Sequence, residues 1–159
     1  MITTVLCCTG LAVFGCVVAV IVAVRRRVLV VTVRGSSMEP TYRSGDRVLA
    51  RRVQLDHVRV GDVVVIGVRE PREFEEAHSP HAPGADWIIK RAAALPGDPV
   101  PREGFAALAH VPETAVPQGK LVVLGDSPHS ADSRLHGYYQ GDRLAGVVVR
   151  KLRAGLGGG

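Results

Sequence analysis

The stretch Val33–Thr41, VRGSSMEPT, sets Ser36 and Ser37 between a glycine and Met38, and Pro40 breaks the run. Serine and glycine are ordinary turn formers, so a plain loop is one reading. The other is a nucleophile, because a serine hydroxyl becomes reactive once a neighbouring base takes its proton. Histidine is the usual base, and the chain has six: His57, His78, His81, His110, His129 and His136. A Ser-His-Asp arrangement requires no fixed sequence spacing, so it stays open on the residues alone. The alternative base is a neutral lysine, since burial among apolar groups disfavours the charged form. Lysine is scarce, with only Lys90, Lys120 and Lys151 against seventeen arginines. Lys90 ends the run WIIK, where an aromatic and two isoleucines precede it. In a strand, Ile88 would share its face and Ile89 would point the other way. On burial pattern alone, a lysine snorkelling at a sheet edge is favoured over a buried base.

Other chemistries fit less well. Asp126, His129, Asp132 and His136 supply oxygen and nitrogen donors, but they match no helical ligand pair and no cysteine joins them. His78 and His81 form a second loose pair in a polar, Pro-rich stretch. Neither group carries a metal assignment, and no cofactor is expected. Asp126 and Asp132 as an acid pair is weak, because ion pairs with Arg91 and Arg134 explain them more simply. Cys7, Cys8 and Cys16 all lie in one apolar segment, so the remainder of the chain has neither a disulfide nor a thiolate nucleophile. That cysteine usage fits either side of a membrane.

The elements that must position these residues are short and β-branched. Strands are expected at Val28–Val33, Arg47–Val53, Asp62–Val68, Lys120–Gly125 and Leu144–Leu152, while Asp86–Leu95 fits a strand or a short helix. Gly-Asp turn signals separate them at 45–46, 61–62, 97–98, 125–126 and 141–142. Closely spaced strands with glycine turns argue for a mainly β domain, sandwich or barrel-like. Two stretches, about 69–86 and 99–117, read as inserted surface loops. Residues 154–159 read as a flexible tail.

Residues 2–24 contain no charged side chain, and Arg25, Arg26 and Arg27 follow. A helix of that length would reach roughly 34 Å, enough to span a hydrocarbon core. A cleaved leader would have a basic start and a shorter apolar core, so the sequence predicts a transmembrane anchor over residues 1–24 and a basic juxtamembrane segment at 25–27. Positive-inside counting places the arginines, and everything after them, in the cytoplasm. The net charge of +5 suits contact with anionic headgroups. Nucleic-acid binding is not expected, since aromatics make up 4% of the chain and no stacking or helix-turn-helix pattern occurs.

In order along the chain, GSSMEPT, SGDRVLARR, IIKRAAALPGD and LVVLGDSPHSADSRLHG resemble the boxes of the type I signal peptidases, Ser/Lys membrane peptidases that remove secretory signal peptides. The resemblance spans roughly residues 34 to 149 and fits behind an anchor. It implies an antiparallel β-sheet catalytic domain preceded by one transmembrane helix. It implies Ser37 as nucleophile, Lys90 as general base and Ser130 as the hydroxyl that orients the lysine amine. Asp126, Asp132, Arg134 and Arg91 fall where the family keeps a supporting network of ion pairs and hydrogen bonds. Substrate would lie as an added strand beside about Val30–Gly35, with small side chains in pockets lined by Val31, Val33, Gly35, Met38, Tyr42, Ile88 and Ile89.

Three departures stand out. Gly35 occupies the position where some relatives place an oxyanion serine, Ser127 replaces the usual asparagine, and the last box is about one residue short.

The resemblance implies cleavage of exported preproteins after small residues of the Ala-x-Ala type, by a protein of the plasma membrane. It also implies an extracytoplasmic catalytic domain, against the charge bias of Arg25–Arg27; protease accessibility in intact cells decides between the two. A dedicated peptidase for one precursor and an inactive membrane-tethered binding module are the alternatives. Self-cleaving repressors share Ser-Met and a downstream lysine but need a DNA-binding domain where this chain has its apolar segment.

Overall fold

The computed structural model describes residues 27–68 and 86–152. The expected anchor at 1–24, Arg25, Arg26, nearly all of the first inserted loop and the tail lie outside the described residues. Among the described residues, no helix is long and apolar enough to cross a membrane.

The described residues form seven strands: β1 (Val28–Thr32), β2 (Arg47–Arg51), β3 (Val63–Val68), β4 (Asp86–Ala94), β5 (Lys120–Leu124), β6 (Tyr139–Gln140) and β7 (Leu144–Leu152). One short helix, α1, covers Ser133–His136. The ambiguous segment containing Lys90 is therefore a strand. The strands make one sheet in the order β1-β2-β7-β3-β4-β5-β6, with every pairing antiparallel. The mainly β, antiparallel expectation holds, and in place of the two layers of a sandwich there is a single continuous sheet. The cause is the last strand, which returns between β2 and β3 and joins two groups of strands that would otherwise lie apart.

Both faces of the sheet are covered. Val31, Val33, Met38, Val48, Ala50, Val63, Val65, Ile89 and Ala145 form one core cluster. Val58, Val64, Ile66, Ala92, Leu121, Val123 and Val147 form a second. Strand β3 sends alternate residues to each cluster, which accounts for its unbroken run VVVI: a strand buried on both faces needs no polar alternation. Strand β4 behaves likewise, with Ile89 in the first cluster and Ile88 packed against the second.

The stretch Pro99–Pro117 was expected as a surface loop, and it differs. Val100, Leu108 and Val116 are buried with Ala94 and Val122 in a third cluster. Its backbone is tied by Val100 N–H to Thr114 O at 3.0 Å and Val116 N–H to Asp98 O at 2.8 Å. The Arg102 guanidinium gathers the carbonyls of Ala109, Val111 and Glu113 at 3.0, 3.0 and 2.8 Å. Four prolines and weak periodicity hid an apolar set whose members are spaced irregularly.

Three Gly-Asp turns share one device. Asp46, Asp62 and Asp98 each accept, through Oδ2, the backbone N–H three residues earlier: Arg43, Arg59 and Leu95, at 2.8, 2.9 and 2.8 Å. The side chain thereby closes the turn that the preceding glycine permits.

Candidate active site

Strand β4 lies between β3 and β5 and is not an edge. Lys90, paired with Val64 of β3, does not reach solvent as the burial pattern suggested. It is 3% exposed, and its Nζ donates to Ser130 Oγ at 2.6 Å. Burial pushes its pKa below the ordinary 10.5; the Asp132 carboxylate opposes that shift and the Arg134 guanidinium reinforces it.

Ser130 is held by the segment that follows β5. Asp132 is fully buried and caps α1. Its Oδ1 accepts from Arg134 N–H and Nε at 3.1 and 3.0 Å, and its Oδ2 accepts from Gly125 N–H at 2.9 Å and Arg134 Nη2 at 2.7 Å. Burial alone would raise the Asp132 pKa. The hydrogen bonds from Arg134, Gly125 and Ser130 outweigh it and hold the carboxyl well below the usual carboxylate range. Ser133, also buried, accepts the N–H of Val123 at 2.8 Å and fastens the helix to β5.

The serine loop meets the same segment. Ser37 is half-buried between exposed Ser36 and buried Met38, and its carbonyl accepts Ser127 N–H at 3.1 Å. Gly125 is the point of contact. A Cβ there would overlap both the Ser130 side chain and the Ser37 carbonyl oxygen. Only a glycine lets the serine loop and the hydroxyl bonded to Lys90 close on one another. The sequence marked Gly125 as a turn residue and carried no sign of this close approach.

A second ion pair braces the loop. Arg91 donates to Asp126 through Nε at 2.9 Å and Nη2 at 2.6 Å, and to the Gly61 carbonyl at 2.9 Å. The hydrogen bonds from Arg91, reinforced by Thr41, lower the Asp126 pKa against its partial burial. Thr41 Oγ1 donates to Asp126 Oδ2 at 2.5 Å and links the end of the serine turn to the brace. Thr41 carried no sequence signal, since a hydroxyl after a turn proline is commonplace. Thr41→Val, nearly isosteric, is expected to cost about 1 kcal/mol of stability and lower kcat/KM roughly tenfold, with Thr41→Ser close to the parent. Steady-state kinetics and thermal melts on the three proteins check this.

The expected substrate-lining residues divide between the faces. Val31, Val33, Met38 and Ile89 are buried together with Tyr42 packed against them, whereas Ile88 packs into the second cluster. Gly35 has φ of 77° with open space around it. That left-handed conformation disfavours a side chain of any kind, so an oxyanion serine at this position would be strained.

A family model described as signal peptidase, peptidase S26, matches residues 6–106. The matched stretch contains Ser37 and Lys90 and ends before Asp126. No curated protein matches the chain.

Proposed function

The chain belongs to the signal peptidase family, peptidase S26, and we propose that it is a membrane-anchored serine endopeptidase in which Ser37 is the nucleophile and Lys90 the general base. Membership supports a serine peptidase of the signal peptidase type that acts on exported preproteins. The observation that carries the finer reading is the buried Lys90 amine, 2.6 Å from Ser130 Oγ, with Ser130 brought against the Ser37 backbone across Gly125.

The chemistry follows from that arrangement. Neutral Lys90 takes the Ser37 proton as Oγ attacks the scissile carbonyl, and the Ser37 backbone N–H stabilises the developing oxyanion. The Lys90 ammonium then returns the proton to the leaving amine, which departs and leaves a Ser37 ester. Lys90, neutral again, takes a proton from water as that water attacks the ester; the acyl C–Oγ bond then breaks, the new carboxyl terminus leaves, and the Lys90 ammonium returns the proton to Ser37 Oγ. Ser130 fixes the amine through the one hydrogen bond that buried Lys90 makes to it. Burial is the main push toward the neutral amine, and the positive charge of Arg134 offsets part of the opposing pull of the Asp132 carboxylate.

Substrate would pair with β1, whose only strand partner among the described residues is β2. The edge of β1 away from β2 leads directly to the serine loop and would supply the backbone groups for an added strand. Small side chains before the cut would face the cluster of Val31, Val33, Met38, Tyr42 and Ile89. The anchor over residues 1–24 and an extracytoplasmic catalytic domain belong to the same proposal.

The test is the pH dependence of cleavage of an Ala-x-Ala precursor. Protonated Lys90 cannot accept a proton, so kcat/KM is expected to rise with pH through an apparent pKa below 10.5, the ordinary lysine value. A profile governed by a pKa at or above that value refutes the base assignment. Stability should follow the same group. Between the lowered value and 10.5 the unfolded chain binds a proton that the folded chain does not, so stability rises with pH across that window. Asp126 and Asp132 act oppositely placed on the scale. Their contribution is present above 3.8 and is lost as pH falls through their lowered values.

A further inference from the structure

At the start of β1, about ten residues before the serine loop, the surface opens into a cavity of about 900 Å³. Arg27, Arg51, Arg52, Gln54 and His57 supply its polar wall, and Leu144 lies on its apolar side. Among the described residues, no carboxylate lines it. His57 is bound to Asp56 at 2.6 Å, but Asp56 faces the adjoining cavities instead.

Three arginines that share a cavity repel one another, and most arginines among the described residues are exposed. Among the described residues, the ion pairs formed by arginine or lysine join Arg91 to Asp126, Arg134 to Asp132 and Lys151 to Asp46. Arg27, Arg51 and Arg52 take part in none of them. The backbone nevertheless fixes the three together. Arg52 N–H donates to Arg27 O at 2.8 Å, and Val28 is in register with Arg51. Gly146 of β7 packs so closely on this corner that a Cβ would overlap the Arg51 carbonyl. The corner is therefore built from three chain segments in fixed register, and Arg27, Arg51 and Arg52 all line the same open, partly apolar space.

We propose that this cavity binds a phosphate group. Guanidinium forks match phosphate oxygens in bidentate fashion and carry the compensating charge. The volume exceeds what a bare ion needs, and Leu144 offers an apolar surface for what the phosphate is attached to. A lipid headgroup and a free phosphate share this chemistry. On the reading of residues 2–24 as membrane-spanning, Arg27 stands three residues from the bilayer, at headgroup level. The site is separate from the Ser37 and Lys90 chemistry and stands or falls independently of it.

The full chain in maltoside micelles, titrated calorimetrically with dihexanoyl phosphatidylglycerol and separately with inorganic phosphate, tests the assignment. Saturable binding of at least one of them is expected. Arg51→Gln/Arg52→Gln should weaken it by about tenfold or more, and Arg27→Gln should weaken it in the same direction. Arg47→Gln/Arg150→Gln, which removes equal charge outside the cavity, should leave it within about twofold. Binding of phosphatidylglycerol alone identifies a headgroup site, and comparable binding of both identifies a free-phosphate site. Failure of both to saturate, or an equal loss in the Arg47/Arg150 variant, overturns the proposal.

Discussion

Ser37→Ala and Lys90→Ala are each expected to lower kcat/KM on an Ala-x-Ala precursor by about ten-thousand-fold, and the double variant by little more than either alone. A nucleophile and its base act as one unit, so removing the second member after the first has little left to remove. Ser36→Ala, one residue away, should leave kcat/KM within about threefold, because Ser36 is exposed and has no part in the proposed chemistry. Lys90→Met separates chemistry from folding. The amine is buried at a desolvation cost, and an apolar chain of similar length fills the same space without that cost. Lys90→Met should therefore be inactive while melting no lower than the parent near neutral pH. Substantial activity in Lys90→Met would remove lysine from the mechanism.

The largest effect on stability is expected at Asp132. Its carboxylate is wholly buried and accepts four hydrogen bonds, from Gly125 N–H and from the Arg134 backbone and guanidinium. Asp132→Ala leaves these donors unpaired next to a cavity, at a cost of about 3 kcal/mol. For a domain of this size that lowers Tm by roughly 10 °C or more. Asp132→Asn retains shape and part of the bonding and should lose about half as much. Because Asp132 acts on Ser130 and Arg134 rather than on substrate, Asp132→Asn should also shift the apparent pKa of the rate profile. Calorimetry and the pH profile, measured on the same two variants, check both statements. An Asp132→Ala protein as stable as the parent would contradict the account of this segment.

Much of the fold was legible because its strands follow simple rules. β7 was expected at Leu144–Leu152 and is found there. The Gly-Asp signals at 45–46, 61–62 and 97–98 are turns closed by their aspartates. What sequence could not give was neighbourhood. Lys90 looked like an edge lysine because a single strand does not reveal which strands flank it. It is buried between β3, through its pairing with Val64, and Ser130 of the segment that follows β5, both long-range facts. The Pro99–Pro117 stretch looked peripheral because its three buried residues have no period.

The site shows the same division. Asp126 with Arg91 and Asp132 with Arg134 were expected as pairs from residue types and the family resemblance, and both pairs form. Ser130 sits on the lysine amine despite the shortened last box. Gly125, Thr41 and Ser133 were not singled out for any such role. Each acts through a contact with a residue distant in the chain or through the absence of a side chain, and neither leaves a local pattern. Ile88 and Ile89 were both expected to line the substrate pockets from the family resemblance, and the strand sends them to different clusters.

The central claim is that Lys90 activates Ser37 for acyl transfer. Its most direct test is to quench the reaction of the full chain with a small peptide ester at neutral pH, digest it and locate the acyl group by mass spectrometry. The account predicts an adduct on the peptide carrying Ser37, absent from Ser37→Ala and reduced by at least about a thousandfold in rate in Lys90→Ala. An adduct on any other residue, or one formed on Ser37 at an undiminished rate without Lys90, would contradict it.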